Sequence, residues 1–217
     1  MMIREDGSSG RQTRKEREEG RLRSEILTAA ARLFARQSFQ KTSMQQIADD
    51  VEISVGRIYR FFDGKEEIFR ELVEGVIAFI DRVGDAEVKK HDSPMRGLRS
   101  AFREIYMNIG AEHRDFLMIL HNENPIRMKR YLLDYLVTQR RSIARMLGEA
   151  MDRGEIRREN PYILATMMVA SAAAFLADSL DSDMQFTQAE YYETFERVMF
   201  DSLETGRGAA AETKEPR

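Results

Sequence analysis

Two arginines, a tyrosine and a glycine lie close together in one short stretch of the chain: Gly56, Arg57, Tyr59 and Arg60. At about 100° per residue, the glycine and both arginines fall on one side of a helix, and the tyrosine lies on its flank. Arginine pairs bidentately with guanine or phosphate, tyrosine donates to phosphate, and glycine lets a backbone come close. This pattern predicts a surface that contacts the DNA major groove, and the alternative interpretation is an ordinary amphipathic surface helix.

The helix that carries these residues is predicted to run from Val55 to about Phe62. Ser54 directly precedes it and is a good N-cap residue. Ile58 and Phe62 give this helix an apolar side opposite the arginines. We therefore expect an exposed helix that is anchored to a core along one face.

A second short helix is predicted just before it. Ser43 and Gln46 form a capping-box pattern, which places the start of this helix near Met44. Its apolar residues recur at the i, i+3, i+4, i+7 spacing of one buried face: Met44, Ile47, Ala48 and Val51. Because only a few residues separate the two helices, the pair is predicted to form a helix-turn-helix, which spacing alone leaves as a hypothesis.

The flanks of this pair extend the pattern over residues 26 to 72 of the 217 in the chain. The segments are IL-AA--LF from Ile26 to Phe34, then KTSMQQIA, ISVGRIYRFF and DGKEEIF. In their order and separations they resemble the N-terminal domain of the tetracycline-repressor (TetR) family of bacterial transcription regulators. Ser38 and Glu52 stand where this family commonly has glycine, and a positive φ at either would cost roughly 1 kcal/mol.

The resemblance implies an all-α fold, in which a three-helix helix-turn-helix head binds operator DNA and a C-terminal helical domain binds an effector and dimerises. It also implies phosphate contacts from Thr42, Tyr59 and Lys65, and a lysine beside free first-turn amides is a sound phosphate site. The predicted DNA-binding residues are Thr42, Ser43, Ser54, Val55, Gly56, Arg57, Tyr59, Arg60, Phe61 and Lys65.

Composition agrees with a helical cytoplasmic protein. Hydrophobic residues make up 42% of the chain, which suffices for one large or two modest domains. There are no cysteines, so disulfides and thiolate metal sites are excluded, and a reducing cytoplasm fits. The first 20 residues do not resemble a signal peptide, and the nearly apolar run from Ile163 to Ala177 is too short to span a bilayer.

Charge is distributed almost evenly along the chain. The formal net charge is −3, with +1 over residues 1 to 72 and −4 over the remainder. Local placement of arginine and lysine must therefore create any DNA-binding surface. We expect DNA affinity to be modest and sensitive to salt.

The predicted domain boundaries follow composition. Residues 1–20 are expected to be a flexible basic and acidic arm, 21–72 the DNA-binding domain, 73–205 the effector-binding and dimerisation domain, and 206–217 a frayed tail. A basic cluster lies around the end of the arm: Arg11, Arg14, Lys15, Arg17, Arg21 and Arg23. In the TetR family such arms can follow DNA, and the alternative is a solvated arm.

The other helices are predicted from apolar periodicity and end signals. The first runs from about Ser24 to Gln37, and a long fourth helix begins at a cap formed by Asp63 and Glu66 and ends near Gly84. Further helices are expected over Pro94 to Glu112, Asp115 to Asn122, Ile126 to Arg153, Pro161 to Leu180 and Thr187 to Thr205. Gly154 and Asn160 are the predicted end and start signals around Pro161.

An effector pocket is implied between the four helices from Lys65 to Arg153. Its predicted lining is Phe79, Phe102, Tyr106, Phe116, Met118, Tyr131 and Tyr135, with Ala78 as a wall position. For each of these residues a plain core role is the alternative. Arg140, Arg141 and Arg145 could meet an acidic ligand or form a solvated face.

A homodimer is implied through the last two helices, which would form a four-helix bundle with a partner. The predicted interface is Ala170, Ala173, Ala174, Ala177, Tyr192, Phe195 and Met199. The alternative is burial of these residues within one subunit.

Catalysis has little support in the sequence. The histidines are His91, His113 and His121, and none belongs to a metal-binding pair such as H-E-x-x-H. We expect no cofactor, no metal and no enzyme activity. The competing hypothesis is a helical enzyme or interaction module that has no DNA function.

Overall fold

The chain folds into α-helices, as predicted. The structure, a computed structural model, describes residues 13–115, 117, 119, 125–178 and 185–205. Within these ranges the one β interaction is an isolated antiparallel bridge between Ile156 and Glu204. None of the described helices is long and apolar enough to cross a membrane.

Eight helices are labelled here in chain order. They are α1 (Arg14–Gln37), α2 (Met44–Asp50), α3 (Val55–Ile58), α4 (Lys65–Val88), α5 (Pro94–Glu112), α6 (Pro125–Asp152), α7 (Pro161–Asp178) and α8 (Gln188–Glu196). A π-helical turn, Arg197–Asp201, continues α8. Residues 114, 115, 117 and 119 are also helical, and the rest of the helix predicted from Asp115 to Asn122 lies outside the described residues.

The first helix starts ten residues earlier than predicted. The Thr13 hydroxyl accepts from Glu16 N at 3.2 Å, and Thr13 N donates to the Glu16 carboxylate at 2.7 Å. This capping box starts α1 at Arg14, so residues 14–20 are helical and not a flexible arm. Basic residues of the predicted cluster pair with glutamates one turn later, as in Arg14 with Glu18 at 2.9 Å.

The helix-turn-helix has the predicted order but a shorter second helix. α2 begins with the Ser43 and Gln46 capping box. α3 ends at Ile58, and tight turns replace the predicted helical residues up to Phe61. The Ser54 side chain makes no capping hydrogen bond.

The long fourth helix differs from the prediction at both ends. Its N-cap residue is Gly64, and Asp63 N donates to the Glu67 carboxylate at 2.6 Å, so Glu67 takes the place predicted for Glu66. The helix also continues past Gly84 to Val88. Ser93 then caps α5, with Pro94 in its first turn.

A close backbone contact joins α5 to the end of α4. A Cβ atom at Gly97 would lie 3.1 Å from Val88 Cα and 3.2 Å from Val88 O. Any side chain at this position would push the two helices apart. Gly97 therefore sets the distance between α5 and the end of α4.

Two hydrophobic clusters organise the chain. The head cluster contains a triangle of rings, with centroid distances of 5.2 Å for Phe34 to Phe39, 5.4 Å for Phe39 to Phe69 and 6.1 Å for Phe34 to Phe69. The second cluster lies in the body, formed by α5 to α8, and is built around Phe102, Tyr106 and residues of α8. α4 supplies buried residues of the head cluster from Ile68 to Phe79 and therefore extends from the head into the body.

Three of the described residues have a left-handed backbone. Ser38 has φ of 70° and Glu52 has φ of 57°, at the two positions where the TetR family commonly has glycine. The cost considered for these residues therefore applies. Gly154 has φ of 72° after the end of α6, and the Asn160 side chain accepts from the first amides of α7, so both predicted end signals are confirmed.

Candidate nucleic-acid interface and ligand cavity

α3 presents its cations outward because its apolar side is fully buried. Ile58 is 0% exposed and Phe62 is 1% exposed, and both pack in the head cluster. Gly56, Arg57 and Arg60 are exposed, and the Tyr59 side chain is 53% exposed. Within the described part of the chain, neither arginine forms an ion pair. Two unpaired guanidinium groups thus flank an exposed phenol on a rigid support.

The margins of this surface come from α2 and from the residues beside α3. Ser43 and Ser54 are exposed, whereas Val55 and Phe61 are partly buried and pack against the head cluster. Lys41 is also exposed, next to the start of α2, and was missed because it belongs to no helical pattern. The Ser43 hydroxyl accepts from Gln46 N at 3.2 Å, so it already caps α2.

Thr42 faces the protein interior. The side chain is 2% exposed, its hydroxyl donates to Ser38 O at 2.9 Å, and the same hydroxyl accepts from the Gln37 amide at 3.2 Å. In this arrangement the hydroxyl closes the turn between α1 and α2. The geometry does not bring Thr42 to the exposed surface with Arg57 and Arg60.

The Lys65 side chain also points to this turn. Its ammonium group donates to Phe39 O at 2.8 Å, to Thr42 O at 2.9 Å and to Gln40 O at 3.4 Å. It lies 4.4 Å from the centroid of the Phe39 ring. All three donors of the ammonium group therefore have acceptors within the protein.

Two acidic residues of the head form ion pairs with arginines of α1. Asp50 of α2 pairs with Arg32, and Glu71 of α4 pairs with Arg23. Arg57 and Arg60 form no such pair with any described residue. The positive surface therefore arises from local placement and not from net charge.

A cavity of about 550 Å³ lies in the body between α4, α5, α6 and α7. Its wall is largely aliphatic and aromatic. The apolar lining includes Val73, Val76, Ile77, Ile80, Leu98, Ala101, Phe102, Ile105, Tyr106, Leu132, Leu136, Ile143, Met146 and Val169. A volume of this size, with an apolar wall, fits a small organic ligand.

Polar groups gather along one part of the cavity lining. The Asp81 carboxylate accepts from the Tyr135 hydroxyl at 3.2 Å and from the Gln139 amide at 2.7 Å. Burial, and secondly the Asp81 charge, raise the pKa of Tyr135 above its usual range. Charged side chains of both signs complete this part of the lining: Asp85, Asp92, Arg145, Glu149 and Arg153.

One hydroxyl group in the lining is buried without a partner. Tyr106 is 2% exposed, and its hydroxyl has no hydrogen-bond partner among the described residues. Burial raises the pKa of this phenol, so it is neutral at physiological pH. A buried unsatisfied hydroxyl is rare in proteins.

The structure brings some of the predicted pocket residues to this cavity and not others. Phe102, Tyr106 and Tyr135 line the cavity, as does Arg145. Phe79 does not, because its ring packs in the head cluster with its centroid 4.6 Å from that of His113. Phe116 and Met118, and the side chain of Tyr131, lie outside the described residues.

Sequence reasoning missed the aliphatic residues that form most of the wall. Ile77, Ile80 and Leu132 follow the same periodicity as core residues, so no signal distinguishes a cavity wall from a core. The proposed wall position Ala78 is exposed and lies outside the lining. Arg140 and Arg141 do not line the cavity either.

The predicted dimer surface needs one correction. Tyr192 is 2% exposed and Phe195 is 5% exposed in the single chain, where both pack with Phe102 and Tyr106. They are buried within one subunit, which was the alternative considered for them. Ala170, Ala173 and Ala174 are exposed, Met199 is partly buried, and the Ala177 side chain lies outside the described residues.

An apolar stripe on α7 remains exposed. Ile163 is 58% exposed and Met167 is 48% exposed, and Ala170 and Ala174 continue the same face at helical spacing. Because α7 also buries Ala165, Met168 and Phe175 in the body, it is apolar on opposite sides. A helix that is apolar all round needs contacts on more than one side.

The described residues contain no group of three or more metal-ligating side chains. His91 is exposed at the cavity, and the His113 ring packs on Phe79. His121 lies outside the described residues.

A helix-turn-helix that exposes two arginines, together with a separate apolar cavity, is typical of one class of protein, the helix-turn-helix transcription regulators. Residues 26–72 match the sequence family described as bacterial regulatory proteins, tetR family. These residues therefore form a TetR-type N-terminal domain. These findings are consistent with a protein that is not an enzyme.

Relatives of the whole chain are regulators as well. The HTH-type transcriptional regulator HbdR of Aromatoleum sp. (strain CIB) is 24% identical over 197 residues, which cover 90% of this chain and 86% of HbdR. The fold is similar to that of NalD, the secondary repressor of the MexAB-OprM multidrug efflux pump in Pseudomonas aeruginosa. Its TM-score is 0.73 at 20% identity, over 88% of this chain and 99% of NalD.

A second similar structure contains both a small molecule and DNA. AibR, in complex with isovaleryl coenzyme A and operator DNA, has a TM-score of 0.67 at 18% identity, over 82% of this chain and 98% of AibR. At this identity the likeness shows a shared fold.

Proposed function

We propose that this protein is a repressor that binds a palindromic operator as a homodimer and leaves it when a small molecule fills the body cavity. The observation that carries the DNA-binding part is a pair of exposed arginines, Arg57 on α3 and Arg60 in the turn after it, which form no ion pair within the described part of the chain. The buried Ile58 and Phe62 hold them outward. Gly56 and Tyr59 complete the reading surface, with Ser43, Ser54, Val55 and Phe61 at its margins.

Replacing Arg57 or Arg60 by alanine tests this surface. Arg57→Ala or Arg60→Ala should weaken binding to the promoter fragment of the protein's own gene by roughly 1–3 kcal/mol if that guanidinium reads a base. Lys89→Ala is the matched control, because Lys89 is an exposed cation at the far end of α4. Fluorescence anisotropy at several salt concentrations measures both. Unchanged affinity in both arginine variants would remove α3 from the interface.

The dimer is proposed to form through the exposed stripe of α7. Paired heads are needed because helix-turn-helix dimers bind half-sites in successive major grooves, about 34 Å apart. Ile163, Met167, Ala170 and Ala174 supply an apolar face, and its alanines allow a partner helix to approach closely.

A charge in the middle of this stripe tests the dimer. Met167→Glu would place a carboxylate in an apolar interface at a cost of several kcal/mol, so the variant should be monomeric at micromolar concentration. Thr138→Glu, at an exposed position of α6, is the control and should remain dimeric. Light scattering gives the mass of each, and a monomeric wild-type protein would refute the proposed assembly.

The effector is proposed to be an apolar or amphipathic small molecule in the cavity. Its volume of about 550 Å³ and apolar wall support this class, as does the coenzyme A thioester carried by AibR. α4 couples the two sites. Several of its residues between Val73 and Val88 line the cavity, and its first residue, Lys65, lies beside the helix-turn-helix. Linkage requires that effector and operator weaken each other by the same factor, typically 5–150-fold.

A cavity-filling substitution tests the ligand site with a neutral apolar fluorophore, N-phenyl-1-naphthylamine. Ala101 is 5% exposed and lines the cavity, so Ala101→Phe should abolish fluorophore binding and leave DNA binding intact. Ala78→Phe is the matched control, since Ala78 is exposed and outside the lining. Equal fluorophore binding by both variants would place the ligand elsewhere.

A further inference from the structure

Lys65 is the first residue of α4, and its side chain contacts the loop before α2. Its ammonium group donates to Phe39 O at 2.8 Å and Thr42 O at 2.9 Å, with Gln40 O at 3.4 Å. Hydrogen bonds from a charged donor are stronger than those between neutral groups. The Phe39 ring, 4.4 Å from the ammonium, adds a cation–π contact. The loop carbonyls and this ring thus surround the cation.

Arg23 makes a comparable connection at the other end of the motif. It donates to Phe61 O at 2.8 Å, just after α3, and through Nε to the Glu71 carboxylate of α4 at 3.0 Å. A second contact joins Arg23 Nη2 to the other Glu71 oxygen. The guanidinium also lies 4.3 Å from the centroid of the Phe62 ring. Arg23 therefore joins α1, the end of the reading helix and α4.

These contacts bracket the helix-turn-helix. Thr42 precedes α2 and Phe61 follows α3, and the α4 residues that hold them, Lys65 and Glu71, lie less than two turns apart. We propose that Lys65 and Arg23 are positioning residues for operator recognition, which fix the two ends of the helix-turn-helix to α4. This rests on the proposed function, namely that α3 binds operator DNA.

The proposal assigns Lys65 a role other than the phosphate contact that the family resemblance implies. To bind a phosphate, the ammonium would have to give up its partly buried hydrogen bonds to the loop carbonyls, and losing charge-assisted hydrogen bonds is costly. The two roles differ in salt dependence. Loss of a phosphate contact lowers the slope of log affinity against log salt by about 0.9, whereas loss of positioning leaves the number of phosphate contacts unchanged.

The decisive experiment compares Lys65→Met with Lys65→Arg on the promoter fragment of the protein's own gene. Arginine keeps the charge for a phosphate, but its planar fork does not match three converging carbonyls. We expect both variants to bind roughly tenfold more weakly, with the wild-type salt slope, because one charge-assisted hydrogen-bond set is worth about that factor. Lys89→Met, at an exposed lysine at the far end of α4, is the matched control and should bind with wild-type affinity.

Hydrogen exchange provides the second readout. In Lys65→Met, amides of residues 39–62 should exchange faster while those of the α1 core and of the body keep their wild-type rates. All binding is measured well below each variant's unfolding midpoint, so a general loss of stability does not change affinity. If Lys65→Met does not fold, Arg23→Lys tests the same idea, because lysine cannot reach Phe61 O and both Glu71 oxygens together.

Three results would overturn the proposal. The first is a salt slope reduced by about 0.9 in Lys65→Met together with normal affinity in Lys65→Arg, which identifies a phosphate contact. The second is unchanged affinity in Lys65→Met, and the third is unchanged exchange in residues 39–62. Failure of the wild-type protein to bind the fragment above non-specific DNA is a separate outcome that refutes the proposed function instead.

Discussion

The head and the body are both helical, but they satisfy their buried groups differently. In the head, the buried Thr42 hydroxyl has two hydrogen-bond partners, and three phenylalanine rings close the core. In the body, a cavity of about 550 Å³ remains, and the buried Tyr106 hydroxyl has no partner among the described residues. The described core of the head is closely packed and its buried hydroxyl is satisfied, whereas the body contains a cavity and a buried hydroxyl without a partner.

The largest expected difference in unfolding free energy is between alanine variants of two α4 isoleucines, one in the head and one in the body. Ile68 is 0% exposed in the head cluster, so Ile68→Ala should cost 2–5 kcal/mol through lost burial and a new cavity. Ile80 lines a cavity that already exists, so Ile80→Ala should cost only about 1–2 kcal/mol. Denaturant unfolding measures both free energies. Equal losses would mean that the body is packed as tightly as the head.

Alkaline pH should act on the body through Tyr106. Burial raises the pKa of Tyr106 in the folded state above the unfolded value of about 10. Its contribution to stability is therefore complete below about pH 10 and is lost as pH rises further, by about 1.4 kcal/mol per pH unit. Tyr106→Phe should flatten the fall in unfolding free energy between pH 10 and 11. An unchanged slope would show that Tyr106 ionises freely in the folded protein.

Replacing Tyr106 and Tyr192 by phenylalanine compares the effects of an unsatisfied and a satisfied hydroxyl on stability at neutral pH. Tyr106→Phe removes a buried hydroxyl without a partner and should stabilise the protein by about 1 kcal/mol. Tyr192→Phe removes a hydroxyl that donates to Arg99 O at 3.3 Å and should destabilise it by about 0.5–1.5 kcal/mol. Thermal unfolding gives the sign of each change, and a destabilised Tyr106→Phe would contradict this view of the cavity.

The smallest expected effects concern the turns of the head. Ser38→Gly and Glu52→Gly should each stabilise it by about 0.5–1 kcal/mol, because glycine adopts positive φ without steric cost. The reverse change in the body, Gly154→Ala, should destabilise by about 1 kcal/mol for the same reason. Melting temperatures compared at one pH test all three changes. Unchanged melting temperatures in Ser38→Gly and Glu52→Gly would show that positive φ costs nothing at these positions.

Most of the head could be predicted because its signals are local. The Ser43 and Gln46 capping box fixes the start of α2, and the same kind of signal at Thr13 and Glu16 was present but overlooked. The direction of the Lys65 side chain could not be predicted, since it depends on carbonyls more than 20 residues away.

The body was harder to predict because its contacts are not local. An apolar face on α8 is the same whether a partner or the chain itself covers it, and the chain itself buries Tyr192 and Phe195. Likewise, Ile80 follows a core periodicity although it faces a cavity. The family resemblance places Phe79 in the pocket, but the Phe79 ring packs on His113.

The contact between Gly97 and Val88 gives the body a mechanical property. Because the backbones already touch there, a molecule inserted between α4 and α5 cannot press this end of α4 closer to α5. If a ligand separated α4 from α5, α4 would therefore pivot about this contact. α4 has 24 residues, so at 1.5 Å per residue the lever is about 36 Å long, and a rotation of about 5° moves its first residue by about 3 Å. That displacement, produced by a small opening near the fulcrum, is as large as the hydrogen bonds that Lys65 makes at the other end.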